Sequence, residues 1–257
     1  MANRSNPRPT RGRAVPKRSI PLMPFYLGLA LLLILGATFV LIKSLNPAAE
    51  TSQNGSADSA NIPDRPALTA AVGQTADGFW YKGDPNAPVK VVEYADYECS
   101  ACATLEADLV RAEFDAKYVE TGKVQYIYRE LPLVNIHSSA QFTAEVARCA
   151  GDQNLFWPVH DALFQTQRQW ANQGNARATI LSAADQAGAN RSTLEACVDS
   201  GKHTAAINAS AQEAATRQLG GTPTVFVNDK EIKFVSSFAG ELSAAVDAVL
   251  AANGNVK

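Results

Sequence analysis

Two cysteines separated by two small residues, Cys99 and Cys102, are the side chains of this sequence best suited to chemistry. If a helix begins at this point, the second thiol lies one turn after the first, close enough to close a small disulfide. A cysteine at a helix N-terminus is surrounded by unpaired backbone N–H groups and the positive end of the helix dipole, which stabilise a thiolate. The pair therefore suits disulfide exchange, in which an attacking sulfur works with a nearby resolving sulfur.

Metal binding and a purely structural disulfide are the alternatives to a redox role. A zinc site needs four ligands, which commonly come as two close pairs. The other two cysteines, Cys149 and Cys197, are 48 positions apart and form no second C-x-x-C motif. Four cysteines allow three connectivities, and a bond between the first two would leave these two as partners. The sequence favours redox chemistry and predicts no metal site.

Acidic residues precede the cysteines. Glu93 lies six positions before Cys99, within an apolar run that is typical of a buried strand. Burying a carboxylate is unfavourable unless it has a purpose, so we expect Glu93 to accept a proton near Cys102. The alternative is a glutamate at a strand end that reaches solvent. Asp96 and Glu98 are expected to face water, because negative charge beside the sulfur would oppose a thiolate.

The motif lies between a predicted strand and a predicted helix. Residues 89–95 form a β-branched and aromatic run with the length of a buried strand. Residues 102–119 place apolar side chains at spacings that fit one helix face, and Gly122 is a plausible helix stop. A second strand is predicted at 123–131. Cys99 is therefore expected where a strand ends and a helix begins.

The remaining chain is predicted to be helical and then β-hairpin. Residues 138–219 carry several helical segments, followed by two short strands at 222–229 and 230–236 that an Asn-Asp turn joins. A closing helix is predicted at 241–252. The order of elements indicates an α/β domain with a helical insertion at about 138–219.

The N-terminus has the pattern of a membrane anchor. Residues 1–19 carry six basic residues and no acidic one, and residues 20–42 are uncharged and mostly apolar. About 20 such residues cross a bilayer as a helix, and the basic flank places the N-terminus in the cytoplasm. A cleaved signal peptide is the alternative, although its apolar core would usually be shorter. A nucleic-acid-binding tail is disfavoured by this position.

Beyond the anchor, the composition changes twice. Residues 43–77 are rich in Ala, Ser, Asn, Asp and Pro and are predicted to form a flexible linker. The domain proper is predicted to span 78–257. Six of the 23 basic residues belong to the first 19 positions, so 17 basic residues face 25 acidic ones in the rest. The chain beyond the basic tail is therefore acidic.

Four stretches resemble a known family. They are "GDPNAPVKVVEYADYECSAC" at 83–102, "YRELP" at 128–132, "ARCAGDQNLFWPVHDALF" at 147–164 and "GGTPTVFVND" at 220–229. Over about residues 80–252 the chain resembles a DsbA-like thiol-disulfide oxidoreductase of the thioredoxin superfamily, in particular its membrane-anchored branch. The resemblance implies a thioredoxin-like fold interrupted by a helical insertion, which agrees with the element order above.

The resemblance also implies roles for individual residues. Cys99 would be the exposed nucleophile and Cys102 the buried resolving cysteine. Thr222 and Pro223 match the family's cis-proline loop, which faces the active disulfide and binds the substrate backbone. Glu93 matches the family's buried acid.

Two cysteines and two histidines remain. By resemblance, Cys149 and Cys197 would form a second, structural disulfide; the alternative is a pair of buried free thiols. His137 and His160 are too far along the chain to be assigned to the site and are expected to be packed or surface histidines. The intervening dipeptide Ser100–Ala101 departs from the proline and histidine of many oxidising members, so the direction of electron flow stays open.

The function that the resemblance implies is an extracytoplasmic, membrane-tethered oxidoreductase that introduces disulfides into exported, cysteine-containing client proteins. A quinone-linked membrane protein of the DsbB or vitamin K epoxide reductase type would reoxidise it, and no bound cofactor is implied. The alternatives are a thiol reductase for particular clients, for instance in cytochrome c maturation, and a non-catalytic peptide-binding or chaperone module. The cysteines would only brace the fold of such a module.

Overall fold

The computed structural model describes residues 62–254 of the 257-residue chain. The basic tail at 1–19 and the apolar segment at 20–42 lie outside the described residues. Within residues 62–254, no helix combines the length and the apolar character needed to cross a membrane.

A mixed sheet forms the centre of the described part of the chain. Its strands, in chain order, are β1 (Val72–Gln74), β2 (Trp80–Lys82), β3 (Val89–Ala95), β4 (Val124–Glu130), β5 (Thr224–Val227) and β6 (Lys230–Ile232). They are arranged in the order β1-β2-β4-β3-β5-β6. Strand β3 pairs in parallel with β4 and antiparallel with β5, so the strand that leads to the C-x-x-C motif is central.

Seven α-helices accompany this sheet in the described residues. They are α1 (Ser100–Arg111), α2 (Ala140–Gly151), α3 (Phe156–Trp170), α4 (Ala176–Gln186), α5 (Arg191–Asp199), α6 (Thr204–Thr216) and α7 (Phe238–Gly254). Helix α1 connects the parallel strands β3 and β4, as a parallel pair requires. Helices α2 to α6 lie between β4 and β5 in the sequence. The predicted α/β domain with a helical insertion is confirmed.

The two faces of β3 pack against different layers. Val89 and Val91 are fully buried in the larger core, to which residues of α1, α3 and α7 also contribute. Tyr94 points to the opposite face, where it packs with Phe226 of β5 and Ala214 of α6. A strand covered on both faces reads as a continuous apolar run, which explains why the sequence indicates this strand so clearly.

The helix after the C-x-x-C motif is shorter than the sequence predicts. Helix α1 ends at Arg111, Glu113 adopts a left-handed φ of 53°, and a π-helical turn follows at Asp115–Val119. The apolar residues Leu109 and Phe114 are five positions apart, a spacing that a straight helix cannot keep on one face. The break lets both side chains enter the core, where each is at most 1% exposed.

The predicted linker is wrong for the part of it that the structure describes. Strand β1 pairs antiparallel with β2, so the folded domain begins before the predicted start at residue 78. Upstream of this strand, the Arg65 guanidinium forms ion pairs with Glu106, Asp115 and Asp161. A three-residue strand and a single arginine produce no periodic pattern, which explains why composition alone indicates a linker.

The C-terminal hairpin follows the sequence prediction with shorter strands. Asn228 and Asp229 both have positive φ, 44° and 66°, as a two-residue turn between twisted strands requires. Strand β6 ends at Ile232, four residues before the predicted end. The closing helix α7 extends beyond the predicted 241–252 at both ends.

Candidate functional site

Cys99 is the N-cap residue of α1, immediately after the turn that follows β3. Its backbone is extended, with φ −74° and ψ 121°, and no side chain caps the helix. Residue Cys99 is 8% exposed, whereas Cys102, one turn into the helix, is fully buried. Both are free thiols in this structure. The first cysteine is therefore the one that an incoming thiol can reach.

The environment pushes the pKa values of the two thiols in opposite directions. A hydrogen bond from the Cys102 thiol, a second from Thr222 and backbone N–H groups at the start of α1 lower the pKa of Cys99 to about 5, against the effect of burial. Burial and the hydrogen bond to Cys99 raise the pKa of Cys102 well above its ordinary value. At neutral pH Cys99 is therefore a thiolate and Cys102 keeps its proton.

A cis-proline loop faces Cys99 from a distant part of the chain. The Thr222–Pro223 peptide bond is cis, and the Thr222 carbonyl oxygen lies 3.4 Å from the Cys99 sulfur. The antiparallel register pairs Tyr94 with Thr224, which brings the start of β5 beside the end of β3. The buried Thr222 hydroxyl has no other partner in the described structure, so it is free to stabilise the thiolate.

Glu93 lies in the middle of the sheet and is fully buried. It shares the face of β3 that holds the larger core, where Tyr126 donates a hydrogen bond of 2.6 Å to its Oε2. The alternative of a strand-end glutamate that reaches solvent is wrong, since its exposure is 0%. Burial, followed by the nearby Glu106, raises the pKa of Glu93 well above its usual range. The carboxyl therefore takes up a proton more readily than an ordinary glutamate, and negative charge on it contributes to the raised pKa of Cys102.

A second buried carboxylate, Glu106, was not identified from the sequence. It lies one turn after Cys102 on α1 and is 2% exposed. Its Oε2 is 2.6 Å from the Arg65 guanidinium, and its Oε1 is 3.4 Å from Nε2 of His160. Burial alone would raise the pKa of Glu106, but His160, Arg65 and Lys82 outweigh it and lower that pKa. Glu106 lies among the apolar residues Leu105 and Leu109 of the buried face of α1, and this position is the feature of the sequence that could have indicated its burial.

Asp96 and Glu98 do not face water, contrary to the sequence expectation. They are 2% and 3% exposed, and backbone N–H groups compensate for the loss of hydration. Asp96 accepts hydrogen bonds of 2.8 Å from Leu133 N–H and 2.7 Å from the His137 ring. Glu98 accepts one of 2.7 Å from Ser139 N–H. The two carboxyls anchor the loop before α2 to the turn that carries Cys99.

Helix α3 of the insertion supports the site directly. Gln167 donates from its Nε2 to the backbone carbonyls of Tyr97 and Cys99, at 2.7 and 2.9 Å, and thereby fixes the position of the N-cap residue. His160, fully buried, lies 3.1 Å from the Tyr97 hydroxyl through its Nδ1. The aromatic residues around it (Phe156, Trp157 and Phe164) are buried in the core of the insertion.

The remaining two cysteines are bonded to each other. Cys149 of α2 and Cys197 of α5 form a disulfide with a Cα–Cα separation of 5.9 Å. The bond joins two helices of the insertion. It leaves Cys99 and Cys102 as the free pair.

Comparison with known proteins identifies the family. A family model described as thioredoxin matches residues 75–248. The chain belongs to the thioredoxin family. This match begins after Arg65, so the ion pairs of that residue lie outside the segment that defines the family.

Curated relatives of this thioredoxin-family chain fall into two groups. The chain is 34% identical over 172 residues to the Na(+)/H(+) antiporter NhaA 1 of Salinispora arenicola, covering 66% of the chain and 24% of the antiporter. It is 31% identical over 169 residues to a Rickettsia prowazekii protein that carries the name of a protein-disulfide oxidoreductase, covering 65% of the chain and 60% of that protein. The matches thus span less than two thirds of these relatives.

Solved structures share the thioredoxin-like fold with its helical insertion. Oxidised BdbD from Bacillus subtilis aligns with a TM-score of 0.60 at 21% identity, covering 70% of this chain and 98% of BdbD. A thioredoxin-like oxidoreductase from Silicibacter pomeroyi aligns with a TM-score of 0.56 at 27% identity, covering 68% and 92%. A DsbA from Mycobacterium tuberculosis aligns with a TM-score of 0.52 at 24% identity, covering 70% and 92%. The fold is therefore that of DsbA-like members.

Proposed function

We propose that this protein is a thiol-disulfide oxidoreductase that introduces disulfides into exported proteins through Cys99 and Cys102. The observation that carries the proposal is the asymmetry of the pair: a reachable thiolate with a pKa of about 5 beside a buried thiol with a raised pKa. A stabilised thiolate favours the reduced form of the pair, and a pair stabilised in its reduced form is an oxidant. The names of the Rickettsia relatives support the same activity.

The proposed reaction begins with the Cys99–Cys102 disulfide. A client thiolate attacks the Cys99 sulfur, the bond to Cys102 breaks, and Cys102 leaves as a thiolate that takes up a proton. In this proposal Glu93 supplies the proton, because this buried carboxyl has a raised pKa and interacts electrostatically with Cys102. The result is a mixed disulfide between the client and Cys99.

The second step releases the oxidised client. Another client thiolate attacks the client sulfur of the mixed disulfide, and Cys99 leaves as a thiolate. Its low pKa makes it a good leaving group. The client has then lost two electrons to the pair, which is left reduced. The cis loop at Thr222 and Pro223, which lies against Cys99, would hold the client backbone during the exchange.

The proposed location is outside the cytoplasm. The apolar segment at 20–42 would anchor the chain, with the basic tail inside the cell. A membrane protein of the DsbB or vitamin K epoxide reductase type would then reoxidise the pair. A membrane-impermeant maleimide applied to intact cells tests this location. We expect it to label Cys99 in the reduced protein, and labelling only after lysis would place the domain on the other side.

The activity is tested with the full chain, oxidised beforehand, and a reduced peptide that contains two cysteines. We expect the peptide to gain a disulfide while Cys99 and Cys102 become reduced, in a one-to-one ratio measured by mass spectrometry. The matched control is Cys99→Ser, which removes the attacked sulfur and should abolish the transfer.

Two results would contradict the proposal. The first is that the Cys99–Cys102 pair, equilibrated with glutathione buffers, reduces the peptide disulfide and does not form it. The protein would then be a reductase. If Cys99→Ser changes neither peptide oxidation nor peptide binding, the protein is a binding module, and the cysteines have no catalytic role.

A further inference from the structure

The two cysteines of the disulfide in the helical insertion and two neighbouring side chains form a cluster of metal-binding atoms. They are Cys149, Asp152, Cys197 and His203, whose ligand atoms all lie within 4.8 Å of one another. The Asp152 Oδ2 is 2.9 Å from Nε2 of His203 and 3.6 Å from the Cys197 sulfur. None of these residues takes part in the site around Cys99.

The fold holds these four residues at the ends of three helices. Cys149 and Asp152 stand three positions apart at the C-terminus of α2. Cys197 lies on α5, and His203 is the N-cap residue of α6. Ligand pairs three to six positions apart, carried on separate elements, are the common framework of structural zinc sites. Thiolate, imidazole and carboxylate are also the ligands that zinc accepts.

A comparison within the molecule shows what makes this cluster different. Glu106, His160 and Asp161 also place ligand atoms close together. Arg65, however, lies between Glu106 and Asp161 and pairs with both, so a cation of the protein itself already occupies that position. At the disulfide, the competing cation is Lys202, whose Nζ is 2.7 Å from Asp152 Oδ2. Its side chain is 57% exposed and is free to turn into solvent.

We propose that reduction of the Cys149–Cys197 disulfide creates a zinc site formed by the two thiolates, His203 and Asp152. A dithiol reductant transfers two electrons to the disulfide and is itself oxidised to a disulfide, which leaves two thiols in place of the bond. Zinc then displaces one proton from each thiol, and the two protons pass to solvent. The insertion would thus be braced by a disulfide in its oxidised form and by zinc in its reduced form.

The geometry requires only small movements. Two thiolates bound to tetrahedral zinc are separated by about 3.8 Å, given a Zn–S distance of about 2.3 Å. The Cα atoms of Cys149 and Cys197 are 5.9 Å apart on two packed helices. Rotation of the two side chains would therefore move the sulfur atoms apart to the separation that zinc requires without moving the helices. Asp152 and His203 are already in contact with each other. Cys197 and His203 are partly exposed, which provides a path for the metal.

The test uses the full chain carrying Cys99→Ser and Cys102→Ser, so that the other pair contributes neither electrons nor ligands. The protein is reduced with excess dithiothreitol, freed of it anaerobically and titrated with zinc against a chromogenic chelator. We expect one zinc per reduced chain and none per oxidised chain. Cobalt in place of zinc should give the absorption of a tetrahedral site with thiolate ligands.

Variants of the two other ligands decide between this site and simple binding to two thiols. His203→Ala and Asp152→Asn should each weaken zinc binding by at least about tenfold, since even indirect supports of a metal site contribute that much. Lys202→Ala, which removes the competing cation, is the matched control and should bind zinc at least as tightly.

Three results would overturn the proposal. The first is a reduced chain that binds no zinc, and the second is equal zinc affinity in the His203 and Asp152 variants. The third concerns folding: if reduction lowers the helical circular-dichroism signal and zinc does not restore it, zinc does not replace the disulfide. Because the active-site cysteines are absent from this protein, none of these outcomes bears on the proposed oxidoreductase activity.

Discussion

Replacing Cys102 by alanine tests how the low pKa of Cys99 is produced. The hydrogen bond from the Cys102 thiol is the largest of the interactions that lower it, ahead of Thr222 and the backbone N–H groups of α1. The variant keeps the helix N-terminus and removes only this donor. We therefore expect the pKa of Cys99 to rise while it stays below that of an ordinary thiol.

The size of the shift follows from the strength of the lost bond. A hydrogen bond to a charged group contributes about 1.5–3 kcal/mol, and one pKa unit corresponds to about 1.4 kcal/mol. The pKa should therefore rise by about one to two units, from about 5 to about 6–7. At pH 6 the thiolate fraction would fall from about nine tenths to between about a half and a tenth.

The assay is the rate of alkylation of Cys99 by iodoacetamide in the reduced full chain as a function of pH. At pH 6 the rate in Cys102→Ala should be about two- to tenfold lower than in the parent, and above pH 9 the two should converge. Cys102→Ser, which keeps a hydroxyl donor, is the control and should shift less. An unchanged midpoint in Cys102→Ala would refute the reasoning and assign the low pKa to the helix N-terminus.

Three further predictions concern contacts that cross the fold. Thr222→Val removes the side-chain hydroxyl that stabilises the Cys99 thiolate and should raise the pKa of Cys99 by about one unit, measured by the same alkylation profile; an unchanged profile would exclude that contact. Arg65→Met removes the cation that Glu106, Asp115 and Asp161 share and should lower the free energy of unfolding by up to about 3–5 kcal/mol, whereas Arg65→Lys should lose less, as measured by urea denaturation. If Arg65→Met is as stable as the parent protein, the segment around Arg65 does not contribute to folding and the linker prediction holds for it. Combined Cys149→Ser and Cys197→Ser should lower the free energy of unfolding by about 2–4 kcal/mol, and a smaller loss would show that the insertion is held by packing alone.

The local pattern of the chain determined the elements around the motif. The run at Val89–Ala95 predicts a strand because it is rich in β-branched and aromatic residues and has the length of a strand, and the residues after Cys102 predict a helix because most of their apolar spacings follow its period. The Asn228–Asp229 pair predicts the turn because these residues tolerate positive φ. Each of these inferences depends only on residues that are close together in the sequence.

Protonation states could not be determined in this way. The sequence indicates that Glu93 is buried and acidic, but its proton depends on Glu106 and on the cations that keep Glu106 charged. Arg65 is one of them, and it comes from a stretch whose composition resembles a linker. The pKa of a buried group is a sum over burial and all nearby charges, and the positions of those charges are set by packing.

The sequence by itself therefore determined the C-x-x-C motif, the strand before it, the helix after it and the order of the elements. By resemblance the sequence also placed Thr222, 123 positions after Cys99, near the active pair, but only the tertiary structure showed its 3.4 Å contact with the Cys99 sulfur and the burial of Asp96. It also showed which surroundings lower the pKa of Cys99 and raise that of Cys102. Secondary structure follows from local periodicity, whereas the chemistry of a thiol depends on what long-range packing places within hydrogen-bonding distance of its sulfur.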